Sequence, residues 1–504
     1  MSTKSAQSSQ IPQPLLLTVE MSDGGRLSVL RYPSSTGAPA PAVVLITPYR
    51  KESATHMELL ARPIAEGYEV LVADVRGFGG STGAYSGVLS PREIDDGVEL
   101  LEWIAAADFC TGRTALVGGS YSGINQLLIA GRAPRGLRCI APWVAPADTY
   151  RDMWKRGGIP SHTAWGAYSF LNSTRPEAQA AILRAFYRDI VGTGLDGELF
   201  RDGSPDLASI RTPAFFGTGW YDYFLAGTVR AFRSLSGPKR LQIGPWSHEP
   251  FLTEERREEL SRWLGHWLRV TGDDPCAPES NAVLWCVGEE EFHTHGGWPA
   301  TSDIEWWRWA PVGEPAAVPI LPSAASVPPP PPTQVHPIVD VSTNSGWRLW
   351  GEATTYDSEP CQEPVRLLGP VALHAALAVE GCCDFDLNAR LSIVKADGSV
   401  RQLTEGRLRA SHRALDEDRS EKTPGGEIVL PWHPHEAAEP VPDDEPVRLV
   451  VEMYPIYLQL SPGERLRLGL TLTRSDGSDV PADAILLPET VVLLPRVLSQ
   501  PETA

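Results

Sequence analysis

The sequence predicts an α/β layered domain followed by an all-β sandwich. Three observations carry that reading. In the first half, short and nearly continuous apolar runs alternate with helical patterns, the texture of parallel strands covered on both faces. After about Cys276 the runs become strand-like throughout and are bounded by Gly, Pro and Asp, with Asp397-Gly398 and Asp476-Gly477 as hairpin-type turn signals. The chain has 504 residues, 42% hydrophobic and 21% charged, an ordinary globular balance with room for about two to four domains.

Taken in order, Val43–Ile46, Val70–Ala73, Thr114–Gly118, Cys139–Ala141, Ala214–Gly217 and Leu241–Ile243 read as the strands of the first domain. The clearest helix between them starts at Ser90-Pro91-Arg92-Glu93. Ser90 suits the N-cap, Pro91 the first helical position, and Glu93 a capping box. Ile94, Val98, Leu101 and Ile104 then form one apolar stripe. Residues 143–203 break the rhythm: they are rich in aromatics and helical residues and hold no strand-like run. That is where a doubly wound enzyme inserts a lid. A helix pattern from Glu254 to Val270 closes the half. The expected organisation is therefore 1–142 with 204–275 as the α/β domain, 143–203 as its lid, and 276–504 as the sandwich. The sandwich strands are Ala282–Val287, Val365–Leu368, Ala372–Val379, Ala389–Val394, Leu449–Leu460, Arg465–Leu472 and Val491–Val497. Pro328–Pro332 reads as an extended surface segment.

Lys and Arg number 44 against 63 Asp and Glu, a net charge of −19. Such a surface repels phosphate backbones and anionic headgroups, so neither nucleic acid nor a membrane is expected as partner. There is no apolar run of about 18 residues to cross a bilayer. Met1–Pro14 is polar and does not read as a signal peptide. The 7 cysteines are scattered without CxxC pairs, which suits a reducing cytoplasm. Adjacent Cys382 and Cys383 read as buried thiols.

The chemistry begins at Thr114-Ala-Leu-Val-Gly118-Gly119-Ser120-Tyr121-Ser122-Gly123, where a strand runs into Gly-x-Ser and then a helix. This is the layout of a nucleophile elbow, whose tight turn demands small residues two before and two after the nucleophile. Gly118 and Ser122 meet the demand, although the commoner residue at the second place is Gly. An ordinary strand–turn–helix fits the same residues. Chain order adds support. Asp222 lies just past the strand at 214–217 and His248 just past the strand at 241–243, the Ser, acid, His order of this chemistry. His248 would take the proton of Ser120, and Asp222 would hold its tautomer. The backbone N–H of Tyr121 is one oxyanion donor by the geometry of the elbow. The loop Thr47–Lys51 should bring a second, and Tyr49 is either that donor or a packed aromatic.

These blocks resemble the cocaine-esterase-like serine hydrolases, a group similar to the X-Pro dipeptidyl-peptidases and the α-amino-acid ester hydrolases. Thr47-Pro-Tyr-Arg-Lys51, Asp74-Val-Arg-Gly77, Gly118–Gly123, Gly219-Trp-Tyr-Asp222 and Gly244-Pro-Trp-Ser-His248 carry the likeness in the first half. Ser358–Val365, Gly369-Pro370, Asp384-Phe-Asp386 and Leu403–Gly406 carry it in the second. The resemblance implies an α/β-hydrolase fold with a helical lid and a C-terminal jelly roll. It implies Ser120 as nucleophile, Asp222 and His248 as its partners, and the Tyr49 hydroxyl with the Tyr121 amide as oxyanion hole. Amino-acid ester hydrolases of this group hold the substrate ammonium with acids shortly after the catalytic Asp; here Tyr223-Phe224-Leu225 stands instead. The group's X-Pro peptidases have an extra helical domain at the N-terminus, whereas this sequence enters the α/β pattern almost directly. Phe224, Trp154 and Trp165 resemble residues lining the acyl pocket of the esterase, or else the two Trp anchor lid helices. An aromatic pocket favours an apolar or aromatic acyl group.

The expected activity is cleavage of a small-molecule carboxylic ester through an acyl-enzyme, with amide or X-Pro-type peptide cleavage and acyl transfer as rivals on the same residues. A non-catalytic carbohydrate-binding protein is a rival of another class, against which the intact Ser–Asp–His set argues. No cofactor and no metal are expected, and the oligomeric state stays open, a homo-oligomer included. The Gly-rich run Gly77–Gly83 matches neither a P-loop nor a dinucleotide fingerprint and reads as a flexible loop. His293-Thr-His295 and His433-Pro-His435 are metal-like only in spacing and read as solvated loops. Glu289–Glu291 and Asp443–Glu445 read as solvated acidic faces.

Overall fold

Each of the six apolar runs of the first half forms a strand, extended at its ends, and five of the seven in the second half do so at nearly the expected limits. The structure is a computed structural model that describes residues 12–85, 87–161, 176–248, 253–312, 318–319, 354–379, 384–442, 445–474 and 484–497. Ten strands make the first sheet: β1 (Leu15–Glu20), β2 (Arg26–Tyr32), β3 (Ala40–Thr47), β4 (Glu69–Asp74), β5 (Cys110–Gly119), β6 (Leu137–Trp143), β7 (Ala214–Gly219), β8 (Lys239–Gly244), β9 (Ala282–Cys286) and β10 (Glu291–His295). Their order is β1-β2-β4-β3-β5-β6-β7-β8-β9-β10. The strands from β4 to β9 along this order run parallel, and β1, β2 and β10 are antiparallel additions at the edges. Every residue of β4 and β7 is buried, which is why these strands read as unbroken apolar runs.

One expectation about this sheet is corrected, and two of its strands are additions to it. Val283, Leu284 and their neighbours were assigned to the sandwich, but Leu241, Gln242 and Ile243 of β8 pair in parallel with Ala282, Val283 and Leu284. The hairpin β9–β10 therefore extends the hydrolase sheet past the limit placed at residue 275. Period alone does not tell which sheet a strand joins. β1 and β2 were not foreseen; their half-exposed, alternating burial leaves no continuous apolar run.

Helices α1 (Ala54–Ala65), α2 (Pro91–Ala106) and α3 (Tyr121–Gly131) cover the sheet. In α2 the Ser90 hydroxyl accepts from the Glu93 amide at 3.4 Å, and Ile94, Leu101 and Ile104 are buried on the predicted stripe. The lid segment holds short helical turns at Thr149–Trp154 and Arg156–Gly158, the helix Pro176–Phe186 continuing through Tyr187–Val191, and a short helix Glu198–Asp202. Trp165 lies outside the described residues, as do Cys382, Cys383, Pro328–Pro332 and Asp476-Gly477.

The second sheet is antiparallel. Its main path runs Glu305–Trp309, Val491–Arg496, Val365–Val379, Val447–Leu460, Val400–Arg409, Phe385–Val394, Arg465–Arg474, Thr354–Asp357. The two runs 365–368 and 372–379 are one strand with a register shift between Gly369 and Val371. Asp397-Gly398 makes the expected turn, with Gly398 at φ 84° and its amide on the Lys395 carbonyl.

Lid, hydrolase sheet and jelly roll meet in half-buried polar contacts. Arg230 donates to Glu452 at 2.8 Å and also to Asp152, joining the helix Leu225–Ser234 to the jelly roll and the lid. Arg151 of the lid donates to Asp196, His433 O and Pro434 O. His433 and His435, expected in a solvated loop, are 7% and 3% exposed. They pack under the lid because Arg151 holds the carbonyls of His433 and Pro434 and the Asp196 amide donates to His435 O. His435 Nδ1 lies 3.0 Å from His412 Nδ1, and burial lowers the pKa of His412 to about 4, which keeps the pair neutral.

Candidate active site

Ser120 sits between the end of β5 and the start of α3 with φ 60° and ψ −128°. A non-Gly residue with positive φ is strained, and here it lifts the serine out of the sheet at the carboxyl ends of the parallel strands. Neighbours enforce the turn. A Cβ on Gly118 would lie 2.8 Å from Ser122 Cβ, and one on Gly123 would lie 2.6 Å from Trp143 O. The serine at the second small place is thus tolerated, while Gly123 lets α3 close onto β6. Gln126 clasps the turn from below: its amide donates to Gly118 O and Ser122 O, and its oxygen accepts from the Ala141 amide.

Asp222 follows β7 and is 1% exposed; His248 follows β8 and is 9% exposed. His248 Nδ1 lies 3.2 Å from Asp222 Oδ1. Asp222 is itself held by the Phe224 amide on Oδ1 at 2.8 Å and by Thr218 Oγ1 on Oδ2 at 3.1 Å. The two loops are stitched by Trp220 N to Gly244 O and Tyr221 N to Trp246 O. They can approach because a Cβ on Gly219 would meet Trp246 O at 1.9 Å. Sequence spacing placed both residues past strands; their contact is a product of this stitching.

Tyr49 lies beside the elbow. Its phenol bonds to the Ser120 side chain and to the Tyr121 backbone, and burial holds its pKa up at about 12, so it stays protonated at neutral pH. The loop that carries it is anchored by Asp74, named above only within a resembling block and given no role there. Asp74 Oδ1 accepts from the Lys51 amide and Oδ2 from Lys51 Nζ and the Gly80 amide. A Cβ on Gly79 would meet Asp74 Oδ2 at 2.2 Å. The Gly-rich run 77–83, read as a flexible loop, is instead wrapped tightly round this carboxylate.

Phe224 and Tyr223 pack on His248, the first edge-on at 5.4 Å and the second stacked at 4.2 Å between ring centres. Trp154 is 2% exposed and lies edge-on to Phe186, 5.4 Å away within the lid. The jelly roll holds the Asp222 loop on both sides: Tyr454 Oη donates to Tyr223 O, and Arg401 donates to Tyr221 Oη, each at 2.8 Å. A second unforeseen group is Arg256, fully buried, with its guanidinium 4.1 Å from the Trp246 ring centre and 4.9 Å from that of Trp143. Burial lowers its pKa to about 9, and the charge of Asp222 opposes that shift.

Beneath the elbow, Tyr121 Oη donates to Glu93 Oε2 at 2.6 Å. Burial raises the Glu93 pKa from 4.5 to about 8, partly offset by the Tyr121 bond. The folded chain therefore holds a proton there that the unfolded chain releases near 4.5. This contributes stability at low pH that is lost as pH rises through about 8. We expect the thermal midpoint of the wild type to fall more steeply from about pH 5 to pH 8 than that of Glu93→Gln. Equal slopes in a pH series of melting curves would show that another group is responsible.

A strained serine after the central parallel strand β5 and an Asp–His pair past β7 and β8 define an α/β-hydrolase fold, here with a jelly roll appended. Residues 23–250 match the X-Pro dipeptidyl-peptidase (S15 family) profile, and residues 349–483 match the X-Pro dipeptidyl-peptidase C-terminal non-catalytic domain. The chain belongs to this family of hydrolases, which takes in the cocaine-esterase-like enzymes. It is 30% identical to the cocaine esterase of Rhodococcus sp. (strain MB1 Bresler) over 280 residues, 46% of this chain and 48% of that protein. That match takes in about half the relative's length. It is 25% identical to a Mycobacterium bovis protein named as a serine esterase, over 84% of this chain and 80% of that protein. In fold it is similar to a CocE/NonD family hydrolase from Staphylococcus aureus, with TM-score 0.77 at 18% identity, covering 96% of this chain and 93% of that one.

Proposed function

We propose that the protein hydrolyses a carboxylic ester of a small molecule through an acyl-enzyme on Ser120. The observation that carries this reading is the Tyr49 phenol bonded to both the Ser120 side chain and the Tyr121 backbone. This puts a protonated donor beside the nucleophile, where an oxyanion would form. In the proposed sequence Ser120 Oγ attacks the carbonyl while His248 accepts its proton, and Asp222 stabilises the imidazolium. The oxyanion is held by Tyr49 Oη and the Tyr121 amide. His248 then returns its proton to the leaving alcohol, and water repeats the cycle on the acyl group. The rings of Tyr223 and Phe224 against His248 support an apolar or aromatic acyl group; Trp154 and Trp165 complete that pocket in this reading. The lid is residues 143–203. Five described cysteines, Cys110, Cys139, Cys276, Cys286 and Cys361, are free thiols, which supports a reducing cytoplasmic compartment. Among the described residues no helix is long and apolar enough to cross a membrane.

The test is intact mass after incubation with a small aryl phosphonate. Wild type should gain one phosphonyl group and Ser120→Ala none. A folded wild type that gains none overturns the acyl-enzyme reading. Paired aryl-ester and anilide substrates with the same acyl group then separate ester from amide cleavage, and turnover of the anilide alone would favour a peptidase.

A further inference from the structure

The hairpin β9–β10 carries Cys286-Val-Gly-Glu289-Glu-Glu-Phe-His293-Thr-His295, and the active site uses none of its side chains. Expected in a solvated loop, His293 and His295 instead lie on an antiparallel strand, where alternate residues share a face. The turn carries Glu289 back over the hairpin. Gly288 allows it with φ 103°, where a Cβ would lie 2.4 Å from Gln459 O. Glu289 is not part of a solvated face, its side chain being only 17% exposed. One ligand atom each from Cys286, Glu289 and His293 then falls within 4.8 Å of the others, a span that fits one coordination sphere.

These groups face one another. Glu289 Oε2 and His293 Nε2 are 2.8 Å apart, and the Cys286 thiol bonds to the Glu289 carboxylate. A thiol, a carboxylate and an imidazole turned toward one point are the donors of a soft metal site. The other Glu289 oxygen is taken by Arg366, the outer partner a ligating carboxylate commonly has. Glu291 Oε1 lies 3.4 Å from His293 Nε2 on the exposed side and can supply a fourth ligand, as can water. His295 Nε2 is buried without a hydrogen bond on the same strand face, and the Tyr457 ring packs edge-on against both histidines.

We propose that Cys286, Glu289 and His293 bind one transition-metal dication, zinc by preference, at the junction of the hydrolase sheet and the jelly roll. A thiolate with an imidazole and a carboxylate suits zinc and repels magnesium and calcium, which take oxygen ligands. Thiolate and carboxylate neutralise the dication, and binding releases the Cys286 thiol proton to solvent. The ion would pin a hairpin that already ties two parts of the fold. Val287 exchanges backbone bonds with Tyr457 and Gln459 of the jelly roll, and Trp285 O accepts from Trp220 Nε1 in the Asp222 loop. The role is structural.

The experiment uses untagged full-length protein, stripped with a chelator and titrated with zinc against a metallochromic dye, then with cobalt in a spectrophotometer. We expect one zinc per chain, a thiolate-to-cobalt charge-transfer band, and a higher melting midpoint with metal. Cys286→Ser and His293→Gln should each lose the band and the metal-dependent midpoint while remaining folded by circular dichroism, and Cys276→Ser should keep both. Sub-stoichiometric zinc in wild type, a cobalt spectrum without the thiolate band, or unchanged binding in both variants overturns the site. Ester turnover by metal-stripped protein is read in parallel, so failure here leaves the serine mechanism to its own test.

Discussion

Ser120→Ala is expected to lower kcat by about 10⁶-fold, the scale seen when the nucleophile of such a triad is removed. Adding Asp222→Asn to that variant should cost almost nothing more, because the three groups act as one unit. On the wild-type background Asp222→Asn alone should cost about 10⁴-fold, by favouring the wrong imidazole tautomer. The geometry makes this separable from unfolding. Asp222 accepts from the Phe224 amide, Thr218 Oγ1 and His248 Nδ1. An asparagine oxygen can keep the Phe224 bond, which closes the turn. The check is a double-mutant cycle on kcat with an activated ester, with melting midpoints beside it. Additive losses in the double variant would mean that Asp222 and Ser120 act in different steps, and the triad assignment would fall.

The second large effect concerns Tyr49→Phe. On the proposed reading Tyr49 is one oxyanion donor, and the loss of one such donor costs about 10²–10³ in kcat. Its loop is braced from behind by the buried Lys51–Asp74 pair at 2.8 Å, so the hydroxyl meets the developing charge without reorganising. KM should change little, since the bond strengthens only in the transition state. The ring makes an edge-on contact with Tyr121 at 6.3 Å, which phenylalanine preserves, so stability should hold. A loss confined to KM, measured by steady-state kinetics on wild type and variant, would assign Tyr49 to ground-state binding and leave the second donor to be found.

Much of this site was legible in the residues because its parts are local. The turn around Ser120 needs Gly118 and Ser122 close in sequence, and the strain of φ 60° leaves its mark as small residues about the nucleophile. Asp222 and His248 each follow a short buried strand, so their positions at one rim of the sheet come from the α/β alternation. Groups recruited over long sequence distances left no such mark. Asp74 reads as an ordinary strand-end acid until Lys51 and Gly80 close on it, and Arg256 reads as a helix-surface charge until Trp143 and Trp246 enclose it. The same holds for His433 and His435, whose burial depends on a lid arginine 282 residues away from His433.

By itself the sequence determined the alternation of apolar runs and helices, the strained turn at Ser120, and the places of Asp222 and His248 just past buried strands. Each of these is set by demands between residues near one another in the chain. Tertiary structure alone decided which sheet receives Ala282–Cys286, which aromatic rings close on His248, and which side chains hold the oxyanion loop and the Asp222 loop in place. Those outcomes depend on burying charge and apolar surface between segments far apart in the chain, where period and spacing carry no information about the partner.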